Sequence, residues 1–260
     1  TTANGTENAS EPLPAALEPM RAPAVDGPLP PGIEDGRIVD ASRLADAHEE
    51  GLTGRSFRVR IAYREFVDDE LRGVAHERVT VAGPGRYRSD VYTLGRLDHE
   101  STAIASESSY GNGTTRFYRT GTGDVATTGV ESDRFVDRTE RYVRWYLSVE
   151  ESRIVGTETR DGTTLVRIDL DGDPWPGTSS LRGWALVDRE GTVRVIHREY
   201  VPTRDPAVRI ETTIRITPGE AAVTRPAWVN ATRRNGTIDM TYAGLPPSLE
   251  RPGRASPAAP

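Results

Sequence analysis

The chain contains no cysteine, no lysine and no glutamine, and only four histidines and five asparagines among 260 residues. Without cysteine there is no disulfide framework, no thiolate zinc site and no thiol nucleophile. Without lysine there is no Schiff base and no Ser-Lys dyad, and all 33 basic residues are arginine. No run approaches the roughly 18 apolar residues that a membrane-spanning helix requires. Thr1 stands first with no methionine, which we read as a targeting segment already removed. The catalytic signatures are missing too: HExxH, CxxC, Gly-x-Ser-x-Gly and a lysine-bearing phosphate loop are all absent. His48, His76, His99 and His197 stand apart from one another. In His76-Glu77 and His99-Glu100 the two side chains of each pair point to opposite faces of a strand. The expectation is a protein that is not an enzyme and holds no metal and no cofactor.

What is present is an antiparallel β pattern. From Val208 to Thr217 the side chains alternate, with Val208, Ile210, Thr212, Ile214 and Ile216 on one face and Arg209, Glu211, Thr213, Arg215 and Thr217 on the other. Trp184–Asp188 and Thr192–Tyr200 flank Gly191 as a hairpin. From Arg55 to Phe66 the alternation recurs, Phe57, Val59, Ile61 and Tyr63 against Arg58, Arg60, Ala62 and Arg64. Ala75–Val81 and Arg86–Leu94 continue the meander, and 95–109 reads as a further, less regular strand. Tyr110–Gly113 marks a hairpin returning along Thr114–Thr120. The small polar run 121–129 reads as a mobile loop. Strands resume at Ser152–Thr159 and Thr164–Leu170 around an Asp161-Gly162 turn, and Ala221–Trp228 could add a last short strand. The run from Asp169 to Pro174 starts like a calcium loop, but Ser180 stands where the twelfth-position glutamate belongs, so it reads as an acidic turn.

Two helices interrupt the strands. Asp40 caps one, with Leu44, Ala45, His48 and Leu52 on a single stripe, and His48 reads as a partly buried helical residue. From Asp133 to Ser148 the period shifts to 3.6, placing Phe135, Thr139, Tyr142, Val143, Tyr146 and Leu147 on one face. The ends differ from this middle. Residues 1–35 read as a disordered tether, 36–230 as the β domain and 231–260 as a polar, proline-rich tail.

Asparagine points to the address. All five, Asn4, Asn8, Asn112, Asn230 and Asn235, begin Asn-x-Ser/Thr acceptor sequences. By chance this would occur on the order of once in ten thousand such chains, so the expectation is an exported, N-glycosylated protein. A net charge of −6 with 28% charged residues argues against nucleic acid as partner.

Leu29-Pro-Pro-Gly-Ile33 with the Leu44–His48 helix, the strand–helix–strand order, and Val223-Thr-Arg-Pro-Ala-Trp228 together resemble haloarchaeal cell-surface lipoproteins of uncharacterised function. Their fold is similar to that of LolA and the mycobacterial LppX and LprG carriers. The resemblance spans roughly residues 29–230 and implies a mainly β fold: one strongly curved antiparallel sheet or unclosed barrel, with helices across its concave face, able to hold acyl chains. It also implies a lipidated cysteine upstream, hence a protein tethered at the extracellular face of the cell membrane. A lipid or other hydrophobic ligand would then lie on Phe57, Val59, Ile61, Tyr63, Tyr142, Tyr146, Ile210 and Ile214. The alternative is that the same residues close a dry core and the protein is a structural or interaction module of the cell envelope.

Overall fold

The computed structural model describes residues 27–99, 104–119, 123–172 and 177–231. A short ladder of β1 (Ile33–Glu34) and β2 (Arg37–Ile38) leads into helix α1 (Ala41–Leu52). Six strands follow: β3 (Phe57–Val67), β4 (Glu70–Gly83), β5 (Arg86–Gly95), β6 (Ser109–Asn112), β7 (Thr115–Arg119) and β8 (Val125–Gly129). Helix α2 (Arg134–Tyr146) then precedes β9 (Glu151–Arg160), β10 (Thr163–Asp171), β11 (Thr178–Asp188), β12 (Val193–Pro202) and β13 (Val208–Pro218), and α3 (Ala227–Ala231) closes the described chain.

All strands from β3 to β13 form one antiparallel sheet in the order β8-β7-β6-β5-β4-β3-β13-β12-β11-β10-β9. The sheet is therefore two meanders, β3 to β8 and β9 to β13, joined where the first long strand pairs with the last. That seam runs the full length of both strands, from Val208 opposite Val67 to Pro218 opposite Phe57. The outermost strands β8 and β9 do not pair, so the sheet is not closed. They are also consecutive in the chain, so the segment between them must travel from one edge of the sheet to the other, and α2 makes that crossing.

The strand register aligns the apolar phases. Ile154, Ile168, Ala185, Ile196, Ile214 and Ile61 lie opposite one another across six strands, and the row ends on β4 at Glu77. All seven are buried. Each isoleucine withdrawn from water is worth about 1.5–3 kcal/mol, so a one-residue slip of any strand would expose its whole share of the row. On β3, β4 and β13 the opposite phase carries Arg58, Arg60, Arg64, Arg78 and Arg215, all exposed, a wet outer face, whereas on β10 to β12 it buries a second small cluster of Leu165, Leu186 and Val195 against Trp184.

Helix α1 begins where Asp40 accepts the Arg43 backbone N–H at 2.9 Å. It buries Leu44, Ala45, His48 and Leu52, and packs against α2. Asp161 and Gly162 adopt φ of 49° and 76°, the two left-handed positions of a type I′ hairpin turn.

Several expectations need correction. Residues 27–35 belong to the packed domain rather than to a tether: Ile33 is buried in the core and Leu29 packs against it. Residues 1–26 and the tail from 232 lie outside the described residues. Residues 96–99 and 104–108 are not a strand. At Gly95 (φ +77°) the chain turns off β5 and folds across the inner face, where buried carboxylates hold its backbone. Within 121–129, Val125–Gly129 is a strand paired with β7, and Ala126 is buried, because pairing supplies what a small polar composition lacks. Residues 221–226 form no strand, and helix α3 follows Pro226, whose missing N–H costs nothing just ahead of a first turn.

His48 is fully rather than partly buried, with Nδ1 accepting the Val193 N–H at 3.1 Å. Burial pushes its pKa down to about 3, so the fold selects the neutral ring. The unfolded chain, with an ordinary histidine pKa near 6.5, binds the proton more readily. Stability from this group is thus complete above pH 6.5 and is lost as pH falls toward 3, by on the order of 5 kcal/mol in total. Urea unfolding at pH 6.5 and pH 5 should show the wild type losing stability over that interval and His48→Asn losing less. Equal losses would contradict the assignment.

Candidate functional site

The candidate site lies between α2 and the concave face of the sheet. α2 turns Phe135, Val136, Tyr142, Val143, Tyr146 and Leu147 inward, against the isoleucine row and against Leu44 and Leu52 of α1. Tyr87 meets Phe135 edge to face at 4.8 Å, and Tyr142 stacks on Tyr146 at 5.7 Å and 6°. The amphipathic pattern anticipated this face of the helix.

The eight residues expected to line a ligand fall into two adjoining groups. Phe57, Val59, Ile61, Tyr142, Tyr146 and Ile214 belong to the large cluster under α2. Tyr63 and Ile210 belong to a smaller one with Ala75 and Val208, flanked by Leu97, Ile104 and Tyr200. All eight expose 3% or less of their surface. In this arrangement these side chains pack on one another.

Periodicity alone missed the polar groups buried in the same space. Glu77 sits in the inward phase of β4 and is fully buried. Arg138 of α2 grips it in a bidentate pair at 2.8 and 2.6 Å, while the Ser89 hydroxyl donates at 2.7 Å and the Ala105 N–H at 3.0 Å. Arg138 also donates to the Tyr142 hydroxyl one turn along α2. Burial pushes the Glu77 carboxyl up, but the Arg138 charge and these donors outweigh it and hold the group below the usual carboxylate range. Glu65, likewise fully buried, accepts the backbone N–H groups of Asp98 and His99, and the Tyr63 hydroxyl donates to the His99 carbonyl at 3.2 Å. Arg198 of β12 is buried between rings, its guanidinium carbon 3.9 Å from the Tyr146 centroid and 4.4 Å from that of Tyr200. Burial pushes the Tyr200 phenol up to about 12. The available signal was a charged residue in the apolar phase: Glu65 and Glu77 keep step with Tyr63, Ala75 and Val79, and Arg198 with Ile196.

The histidines remain separate. His76 is exposed while its neighbour Glu77 is buried, His99 approaches Asp205 at 3.6 Å, and His197 bonds to Thr213. Among the described residues no group of three or more potential metal ligands converges, and no helix is long and apolar enough to cross a membrane. Asn112 is exposed at the β6–β7 turn, where its Oδ1 accepts the N–H groups of Thr114 and Thr115. Asn230 lies in α3, and Asn4, Asn8 and Asn235 lie outside the described residues.

No known protein family matches the chain, and no curated protein matches it by sequence. Among solved structures it is similar to LprF from Mycobacterium bovis, at 14% identity and a TM-score of 0.40, over 74% of this chain and 98% of that one. It is similar to the lipoprotein LppX from Mycobacterium tuberculosis, at 14% identity and 0.32, over 67% and 91%. A LolA superfamily protein from Nitrosomonas europaea overlaps at 9% identity and 0.26, over 70% and 94%. At these identities, with scores under 0.5, the likenesses say nothing about what this chain binds.

Because Glu77 and Arg138 are buried as a pair, removing one charge strands the other. Glu77→Gln should cost about 3–5 kcal/mol in urea unfolding, and Glu77→Leu combined with Arg138→Met should recover most of it. A loss below about 1 kcal/mol for Glu77→Gln would place the pair in the class of solvated surface bridges.

Proposed function

We propose that the protein binds a lipid or other hydrophobic ligand between α2 and the concave face of the sheet, as an exported protein held at the outer face of the cell membrane. One observation carries the ligand reading. A continuous apolar row crosses six strands of an unclosed sheet, and a single amphipathic helix covers it, attached partly through one buried ion pair rather than by apolar contact alone. A helix fastened in this way can be lifted from one face without unpairing strands, because α2 contributes no backbone hydrogen bonds to the sheet. Six of the eight residues named from the sequence would then be the surface uncovered, with Tyr63 and Ile210 continuing it in the adjoining cluster, and each acyl methylene laid on it would gain about 0.8 kcal/mol. The five acceptor sequons support export, and the resemblance to haloarchaeal lipoproteins supports an upstream lipid anchor.

The near-zero exposure of those eight residues favours a second reading, a filled core in a structural or interaction module of the cell envelope that acts through its outer face. Binding separates the two. The purified protein would be titrated with 11-(dansylamino)undecanoic acid and extracted with organic solvent for lipid analysis. The carrier reading expects a blue-shifted, saturable signal that Ile210→Trp and Ile214→Trp weaken at least about tenfold while near-UV circular dichroism stays native. No signal from the wild type and an empty extract would leave the filled-core module standing.

A further inference from the structure

The opposite side of the sheet carries a different chemistry. Arg153, Asp169, Trp184, His197 and Thr213 lie opposite one another on β9 to β13. Each adjoins in sequence a member of the inward isoleucine row, so this row belongs to the outer face. Two residues further along their strands, Asp171, Arg182 and Glu199 form a parallel row. Together with the β1–β2 hairpin, whose Ile38 N–H bonds to Ser152 and whose Gly36 carbonyl accepts from Ile154, these residues bound an open groove of about 1170 Å³.

We propose that this groove binds a short neutral oligosaccharide. Its lining holds six carboxylates and four guanidiniums, so neither sign dominates: a polyanion would meet the acids and a polycation the arginines. A sugar hydroxyl both donates and accepts. Carboxylates accept in pairs and guanidiniums donate in pairs, which matches adjacent hydroxyls on a ring. Such groups bind weakly when they must first be ordered, and those around the central aromatic are held. They stand on paired strands, and the central aromatic is stacked, with the Arg167 guanidinium 4.6 Å from the Trp184 ring centroid and the His197 ring 5.6 Å from it and 29° from parallel. Stacking restrains these planes through their faces and leaves the indole N–H and guanidinium edges to bond. The groove is larger than the roughly 300–1,000 Å³ of ordinary small-molecule pockets, and it is open along its length, which suits a chain of rings better than a compact metabolite. Val39, exposed on the β1–β2 side of the groove, offers the C–H faces of such rings a place to lie.

The test is calorimetric titration of the full chain with cellotetraose, maltotetraose and chitotetraose, with a heparin-derived tetrasaccharide as the charged comparison. The expected result is saturable binding of at least one neutral tetrasaccharide, weakened at least about tenfold by Trp184→Phe and by Glu199→Ala. Glu199 lies at the surface, so its variant should keep the wild-type thermal midpoint, and both variants should leave dansylundecanoate binding unaltered. The proposal is overturned if no neutral tetrasaccharide binds at millimolar concentration, if both variants bind it as the wild type does, or if heparin alone binds and salt abolishes it.

Discussion

A carboxylate and a guanidinium that must stay together hold the two layers of this protein in register. Glu77 ends the apolar row that runs across the sheet, and Arg138 projects from the helix that covers the row. Neither charge has water to turn to. Burying an isolated carboxylate would cost several kcal/mol, so the sheet accepts Glu77 only where α2 delivers Arg138, and α2 can deliver it only at one rotation and one position along its axis. Tyr142 and Ser89 complete the set from helix and sheet, and Ala105 ties in the loop that leaves β5. Helix, sheet and crossing loop thus meet at one carboxyl group, and apolar packing around it, which has no direction of its own, inherits a unique alignment.

Topology creates the need for that clamp. Because β8 and β9 are successive strands at opposite edges, the chain between them has to cross a face, and the concave face is the apolar one. The seam between β3 and β13 makes the sheet continuous but brings together residues about 150 positions apart. Local contacts build each meander, and the seam and α2 join them. The outer face is left free of this work, which is why it can be arginine-rich on β3 and β4 and yet carry a mixed, groove-forming set of residues on β9 to β12.

Much of this was legible where period and pairing agree. The strands around Phe57–Tyr63 and Val208–Ile216 follow from alternation, the helical face from Phe135 to Leu147 from the 3.6-residue period, and the start of α1 from the Asp40 cap; the two periods also put the eight candidate residues on apolar faces. What could not be read depended on partners far along the chain. Val125–Gly129 is a strand only because β7 lies beside it, and Gly73 and Gly95 mark the point where the chain leaves β5: a Cβ on Gly73 would come within 2.4 Å of the Arg96 carbonyl oxygen. The buried polar groups were the larger omission. Arg138 falls outside the apolar stripe of α2, and nothing local reveals that an acid 61 positions away is its partner.

A ligand can reach the apolar row only if this clamp opens and α2 is a separable cover on a sheet that persists without it. Native-state hydrogen exchange followed by mass spectrometry addresses that directly, with peptides from α2 compared with peptides from β3 and β13 across a denaturant series. Residues 134–146 are expected to exchange through an opening of lower free energy than the seam strands, which would exchange only on global unfolding. Exchange of α2, β3 and β13 together in one event would show the helix to be a fixed part of the core and would contradict it.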